Sequence, residues 1–135
     1  MRIPIFVLLI ALNLAGGLPA AAERNLIPSL SSEPDVCADR PEEPDWMEDI
    51  GVRDAYKRVL VHDIYRAQNL ERIVASGTCA CETRFPIWDE AEAEFRDRFA
   101  SAERWEMLEA SDDYNRRANT LRPDAMAICQ AEGNW

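Results

Sequence analysis

Apolar residues recur at three- and four-residue steps over two long stretches of this chain, and glycine, cysteine and proline separate the two. Val52, Tyr56, Val59, Leu60, Ile64, Ala67, Leu70 and Val74 form the first stripe, which predicts an amphipathic helix of about six turns. Asp54 and Arg58 on its polar face are spaced for a helical ion pair. Ser76-Gly77 closes it, glycine supplying the left-handed backbone of a C-cap. Ahead of it, Asp45 is placed to cap a short turn carrying Trp46 and Met47, with Glu48 completing a capping box.

The second stripe holds Trp88, Ala91, Phe95, Phe99 and Ala102, and Glu90, Glu92, Glu94, Arg96, Asp97 and Arg98 form its wet face. Its acidic first turn suits the helix macrodipole. Residues 83–88 form the return segment, where Pro86 keeps Phe85 out of helix. Ser101 either caps a new helix or sits within one; both choices continue the apolar face through Trp105, Leu108, Tyr114 and Ala118. A last helix is expected to start near Pro123, a residue suited to the first helical turn, and to run through Cys129 to Gly133. No apolar–polar alternation predicts a strand. The expected fold is all-α: a small disulfide-stapled bundle of three or four helices with an extended N-terminal arm. Trp88, Phe95, Phe99, Trp105, Tyr56 and Leu60 supply its core, a commoner role for such residues than a ligand-binding aromatic box.

The ends of the chain add the compartment. Arg2, the apolar run over residues 3–14, the break at Gly16-Gly17-Leu18-Pro19 and the small residues Ala20-Ala21-Ala22 read as a signal peptide over residues 1–22. That run is shorter than the roughly 20 residues needed to span a bilayer, so the mature chain is expected not to span the membrane and to be periplasmic or secreted. Residues 23–44 read as an extended arm, because Pro28, Pro34, Pro41 and Pro44 each bias the preceding residue away from helix. Only Cys37 is expected to fix that arm to the helical domain, residues 45–135.

Behind a signal peptide, four cysteines imply disulfides. A Cys79–Cys81 bond would close a very small, strained ring. Two pairings stay open: Cys37–Cys79 with Cys81–Cys129, or the crossed alternative. Each closes a loop of roughly 40–50 residues, worth about 2–4 kcal/mol. Redox catalysis at Cys79 and Cys81 lacks the Cys-x-x-Cys spacing and βαβ framework that such sites use. A metal site lacks the second pair of ligands.

Removing residues 1–22 takes one of 15 basic residues and none of the 25 acidic ones, which leaves a net charge of −11. Such a surface repels phosphate backbones, so nucleic acid is excluded as a partner and a basic protein favoured. His62-Asp63 is the first catalytic pair to test, but neighbours on a helix point about 100° apart. Asp89, Glu90, Glu92 and Glu94 alternate with alanines as a solvated face does, and the Ca²⁺-loop pattern is missing. The sequence therefore offers no catalytic, cofactor or metal residues. Trp46 and Trp135 lie outside both stripes and are the interface candidates, exposed tryptophan being a preferred anchor; the competing reading packs them over the cystines.

The segment Thr78-Cys79-Ala80-Cys81-Glu82-Thr83-Arg84-Phe85-Pro86, with Arg104-Trp105-Glu106-Met107-Leu108-Glu109 and Tyr114-Asn115-Arg116-Arg117, resembles small exported proteins associated with bacterial type IV secretion (conjugative transfer) systems. The resemblance implies an accessory envelope component without catalytic activity and carries over no site residue. The expected function is thus non-enzymatic binding of another envelope protein. Its rivals are a periplasmic thiol–disulfide oxidoreductase using Cys79 and Cys81, and an acidic inhibitor of an envelope hydrolase.

Overall fold

The computed structural model describes residues 37–135. The expected signal peptide, residues 1–22, and residues 23–36 of the arm lie outside the described residues. Helix α1 spans Asp45–Glu48, a 3₁₀ turn covers Val52–Asp54, and α2 runs Ala55–Ser76. Cys81–Arg84 makes the single turn of α3, Asp89–Phe99 forms α4, and α5 is the long helix Arg104–Ala131. The described residues form an all-α, disulfide-stapled bundle with no strand.

Side-chain pairs set the topology. Asp63 meets Ser111, Arg66 meets Asn115 and Glu71 meets Arg117, at the nearly constant separations of 48, 49 and 46 residues, so α2 and α5 run parallel. Arg72 meets Glu90 and Gln68 meets Glu94; one number falls as the other rises, so α4 returns antiparallel. Helix α2 is central. It makes its most extensive contact with α5 and a smaller one with α4.

That position explains what the periodic reading of α2 missed. Leu60, Ile64, Ala67 and Leu70 are buried as the stripe predicts, but Val61 and Ile73 are buried too, because a helix with neighbours on several sides needs a wider apolar arc. Val52 is 94% exposed, since the chain is still in the 3₁₀ turn there and has not entered the register of α2. Val59 is exposed as well. The expected Asp54–Arg58 pair does not form: Asp54 takes Lys57 at 2.8 Å, and Arg58 reaches back to the two Glu43 oxygens at 2.9 and 3.1 Å. The Lys57 ammonium is held above its ordinary pKa chiefly by its hydrogen bond to Asp54.

The described stretch of the arm is fastened at more points than Cys37. Glu43 also accepts from His62 Nε2 at 2.7 Å, and the Arg40 guanidinium lies 4.1 Å from the Phe85 ring centroid. Asp45 is not a cap. Pro44 holds that position, its carbonyl accepting from Met47 N at 2.8 Å, and Asp45 is the first helical residue. Met47 is fully buried as a result.

Helix α4 matches its predicted stripe, with Trp88, Ala91, Phe95 and Phe99 buried. Its acidic face is not simply solvated. Glu92 accepts the Trp46 indole N–H at 2.7 Å. Glu94 accepts from Gln68 at 2.7 Å, from Arg98 at 2.8 Å and from the Tyr114 hydroxyl, which ties three helices at one carboxylate.

Helix α5 departs most from expectation. Ser101 neither caps it nor lies within it: Glu103 does the capping, in a reciprocal box with Glu106. From that start Met107, Ser111, Tyr114, Ala118, Ala125 and Cys129 face inward, at three- and four-residue steps except for the two turns between Ala118 and Ala125. The register turns Trp105 and Leu108 outward, to 64% and 47% exposure, so neither belongs to the core. No separate helix starts at Pro123. The helix continues through it, with the proline on an exposed face.

Candidate functional site

The cysteines take the crossed pairing: Cys37 bonds to Cys81 and Cys79 to Cys129. Ala80 caps α3 (φ −60°, ψ 155°), so Cys79 stands ahead of that helical turn and Cys81 opens it; the first reaches Cys129 on α5 and the second reaches Cys37. Cys79 and Cys129 are fully buried, and no described cysteine is free.

The end of α5 completes this region. Gly133 adopts φ +70°, Gly133 N donates to the Gln130 carbonyl at 3.0 Å and Asn134 N to the Cys129 carbonyl at 2.8 Å, a Schellman motif. The reversal seats Asn134, 6% exposed, against both cystines, with its amide oxygen 3.2 Å from Cys37 Sγ and its amide nitrogen donating to the Cys79 carbonyl. Glu132 accepts from Cys79 N at 2.8 Å. Helix end, cysteine loop and Cys37 are thereby one block.

Two of the candidate chemistries resolve into structural contacts. His62 is a boundary residue, paired with Glu43 and edge-on to Trp88 at 5.1 Å, while Asp63 faces away to accept from Ser111. Burial alone would raise Glu94, but hydrogen bonds from Tyr114, Arg98 and Gln68 outweigh it and hold its carboxyl below the usual range. Burial, then the bond to Glu94, drives the Tyr114 hydroxyl far upward. Among the described residues no group of three or more His, Cys, Asp or Glu side chains is placed to hold a metal ion.

The interface candidates separate. Trp46 is half-buried, stacked on Phe95 at 5.8 Å and bonded to Glu92, so it belongs to the packing of α1 on α4. Trp135 is 38% exposed and forms one wall of a groove beside α2. The surface that sequence reasoning passed over lies at the start of α5. There Trp105 borders a shallow depression of about 350 Å³ with Glu106, Glu109 and Asp113 on its rim. Arg98 and Arg117 also line it, but each is paired with a carboxylate, Glu94 and Glu71 respectively. The capping box Glu103-Arg104-Trp105-Glu106 was the available signal: it sets the register in which Met107 points in and Trp105 out.

No protein-family model, no curated protein and no solved structure matches the chain.

Proposed function

We propose that this chain is a non-enzymatic, disulfide-stapled binding protein of an oxidising compartment, periplasmic or secreted, and that it docks another protein through the acidic, Trp105-bearing start of α5. The observation that carries the reading is the exposure of Trp105, at 64%, beside Leu108 one turn on, on a strongly acidic chain. A tryptophan in water beside a second apolar residue is the composition of an interface anchor rather than of an ordinary surface. Glu106, Glu109 and Asp113 around it favour a partner with a basic, apolar surface. The segment that presents Trp105, residues 104–109, is also part of the resemblance to type IV secretion accessory proteins. An accessory role in such a system is the finer form of this proposal.

The test is capture from crosslinked periplasm with the native chain and with Trp105→Ala. A protein recovered with the first and lost with the second, and released by salt, supports the reading. Equal recovery with both sinks it. An envelope hydrolase inhibited through this same surface would make the chain an inhibitor, which activity assays decide. Insulin reduction by the purified chain would instead favour the oxidoreductase reading.

A further inference from the structure

The groove beside α2 differs in charge from the rest of the molecule. Arg66, Arg84 and Arg122 surround it, Tyr65, Phe85 and Trp135 wall it, and its volume is about 410 Å³. Leu70 and Ile73 lie at its floor, and no acidic side chain is among the described residues that line it. In a chain with 25 acidic and 15 basic residues, Arg66 and Arg122 thus stand at an apolar slot whose described lining is free of carboxylates.

Six of the arginines elsewhere show the contrast, while Arg104 lies 5.1 Å from the Tyr56 ring centroid. Arg58, Arg72, Arg96, Arg98, Arg116 and Arg117 each meet a carboxylate. Arg66 instead donates to the neutral amide oxygens of Asn115 and Asn119 at 2.9 and 2.7 Å, which hold the guanidinium in place without cancelling its charge. Arg122 lies 5.9 Å from the Trp135 ring centroid, and Arg84 lies 5.0 Å from the centroids of both Phe85 and Trp135. The Schellman turn that buries Asn134 also puts the Asn134 carbonyl on Arg84.

We infer that this groove is a second binding site, which takes a short acidic peptide segment of a partner protein. Its carboxylates pair with Arg66 and Arg122, and an apolar side chain between them enters the slot over Leu70 and Ile73. Arginine presents a planar fork that matches a carboxylate with two parallel hydrogen bonds, and flat aromatic walls suit an aromatic or branched side chain. Charge complementarity selects this occupant: basic segments are repelled by Arg66 and Arg122, whereas the Trp105 surface favours them. The two sites lie on different residues and are tested separately.

The experiment uses the disulfide-intact chain and calorimetric titration with the blocked tetrapeptide Glu-Phe-Glu-Leu, its Gln-Phe-Gln-Leu analogue and phenylacetate. The acidic peptide is expected to bind, the glutamine analogue at least about ten-fold more weakly, and Arg66→Gln and Arg122→Gln each to weaken binding by about ten-fold. Both arginines are at the surface, and circular dichroism confirms that the variants fold; Arg53→Gln, outside the groove, is the control and leaves affinity unchanged. Equal affinity for the glutamine analogue, or for the Arg66 and Arg122 variants, overturns the proposal. Phenylacetate binding as tightly as the peptide assigns the groove to a small acid and overturns it too. So does self-association that the Arg66 and Arg122 variants abolish, since the occupant is then a second copy of this chain.

Discussion

The side-chain amide of Asn134 donates to the main-chain carbonyl of Cys79, 55 residues upstream, and through that bond the end of α5 closes over both cystines. The bond is buried, so its loss leaves a carbonyl without water or partner. Asn134→Ala is expected to cost about 1–3 kcal/mol, lowering Tm by roughly 4–8 °C for each kcal/mol in a domain of this size. Thermal unfolding by circular dichroism measures it; a shift within about 1 °C of zero would contradict the role given to Asn134.

The crossed pairing is directly checkable. Tryptic digestion without reductant should leave three peptides joined through the Cys79-Ala80-Cys81 segment. Fragmentation between those two cysteines should place the Cys129 peptide with Cys79 and the Cys37 peptide with Cys81. Replacing Cys79 and Cys129 together by alanine should cost about 2–4 kcal/mol. Detection of a Cys37–Cys79 linkage in native protein would refute the arrangement.

Glu94 makes the bundle acid-sensitive. Its folded pKa is lowered, so the stability it contributes is present above its ordinary value of 4.5 and is lost as pH falls through the folded value. Denaturant midpoints should therefore decline below about pH 4.5, and Glu94→Gln should flatten that decline while lowering stability at pH 7. An unchanged acid limb in the variant would remove Glu94 from the explanation.

Trp105 and Met107 lie two residues apart and should behave oppositely. Met107→Ala empties a fully enclosed position and should cost about 2–5 kcal/mol. Trp105→Ala should change stability by no more than about 0.5 kcal/mol, because its ring has little packing to lose. Comparable losses in chemical denaturation would mean that Trp105 is a core residue after all.

Pro123 lies well inside α5, where its ring crowds the preceding turn and it offers no N–H to the Asn119 carbonyl. Pro123→Ala should restore that hydrogen bond and raise stability, by up to about 3 kcal/mol. A fall in Tm would show that the proline is needed where it stands.

The residues that mark local structure could be read without coordinates. Ser76-Gly77 ends α2 at Gly77, φ +68°, because a left-handed residue is a need of four or five neighbours only. Trp88, Phe95 and Phe99 are buried because a single period fits that short helix. Trp105 could not be placed the same way. Hydrophobicity says that a ring prefers burial, but the cap at Glu103 and the inward series from Met107 to Cys129 assign the register, and they leave Trp105 outside. The passage of α5 through Pro123 is hidden for the related reason that a proline favours a helix start locally, while the packing of Ala118, Ala125 and Cys129 holds the helix together through it.

By itself the order of residues determined a helical chain, its cystine-forming cysteines, its acidic balance, the end of α2 and the start of α4. Each of these follows from composition or from groups close along the backbone. The tertiary structure alone decided which sulfurs join, which tryptophan faces water, and that arginines 66, 84 and 122 meet at one slot. Those outcomes depend on how α2, α5 and the cysteine loop come together in space, and no local preference of the chain encodes that meeting.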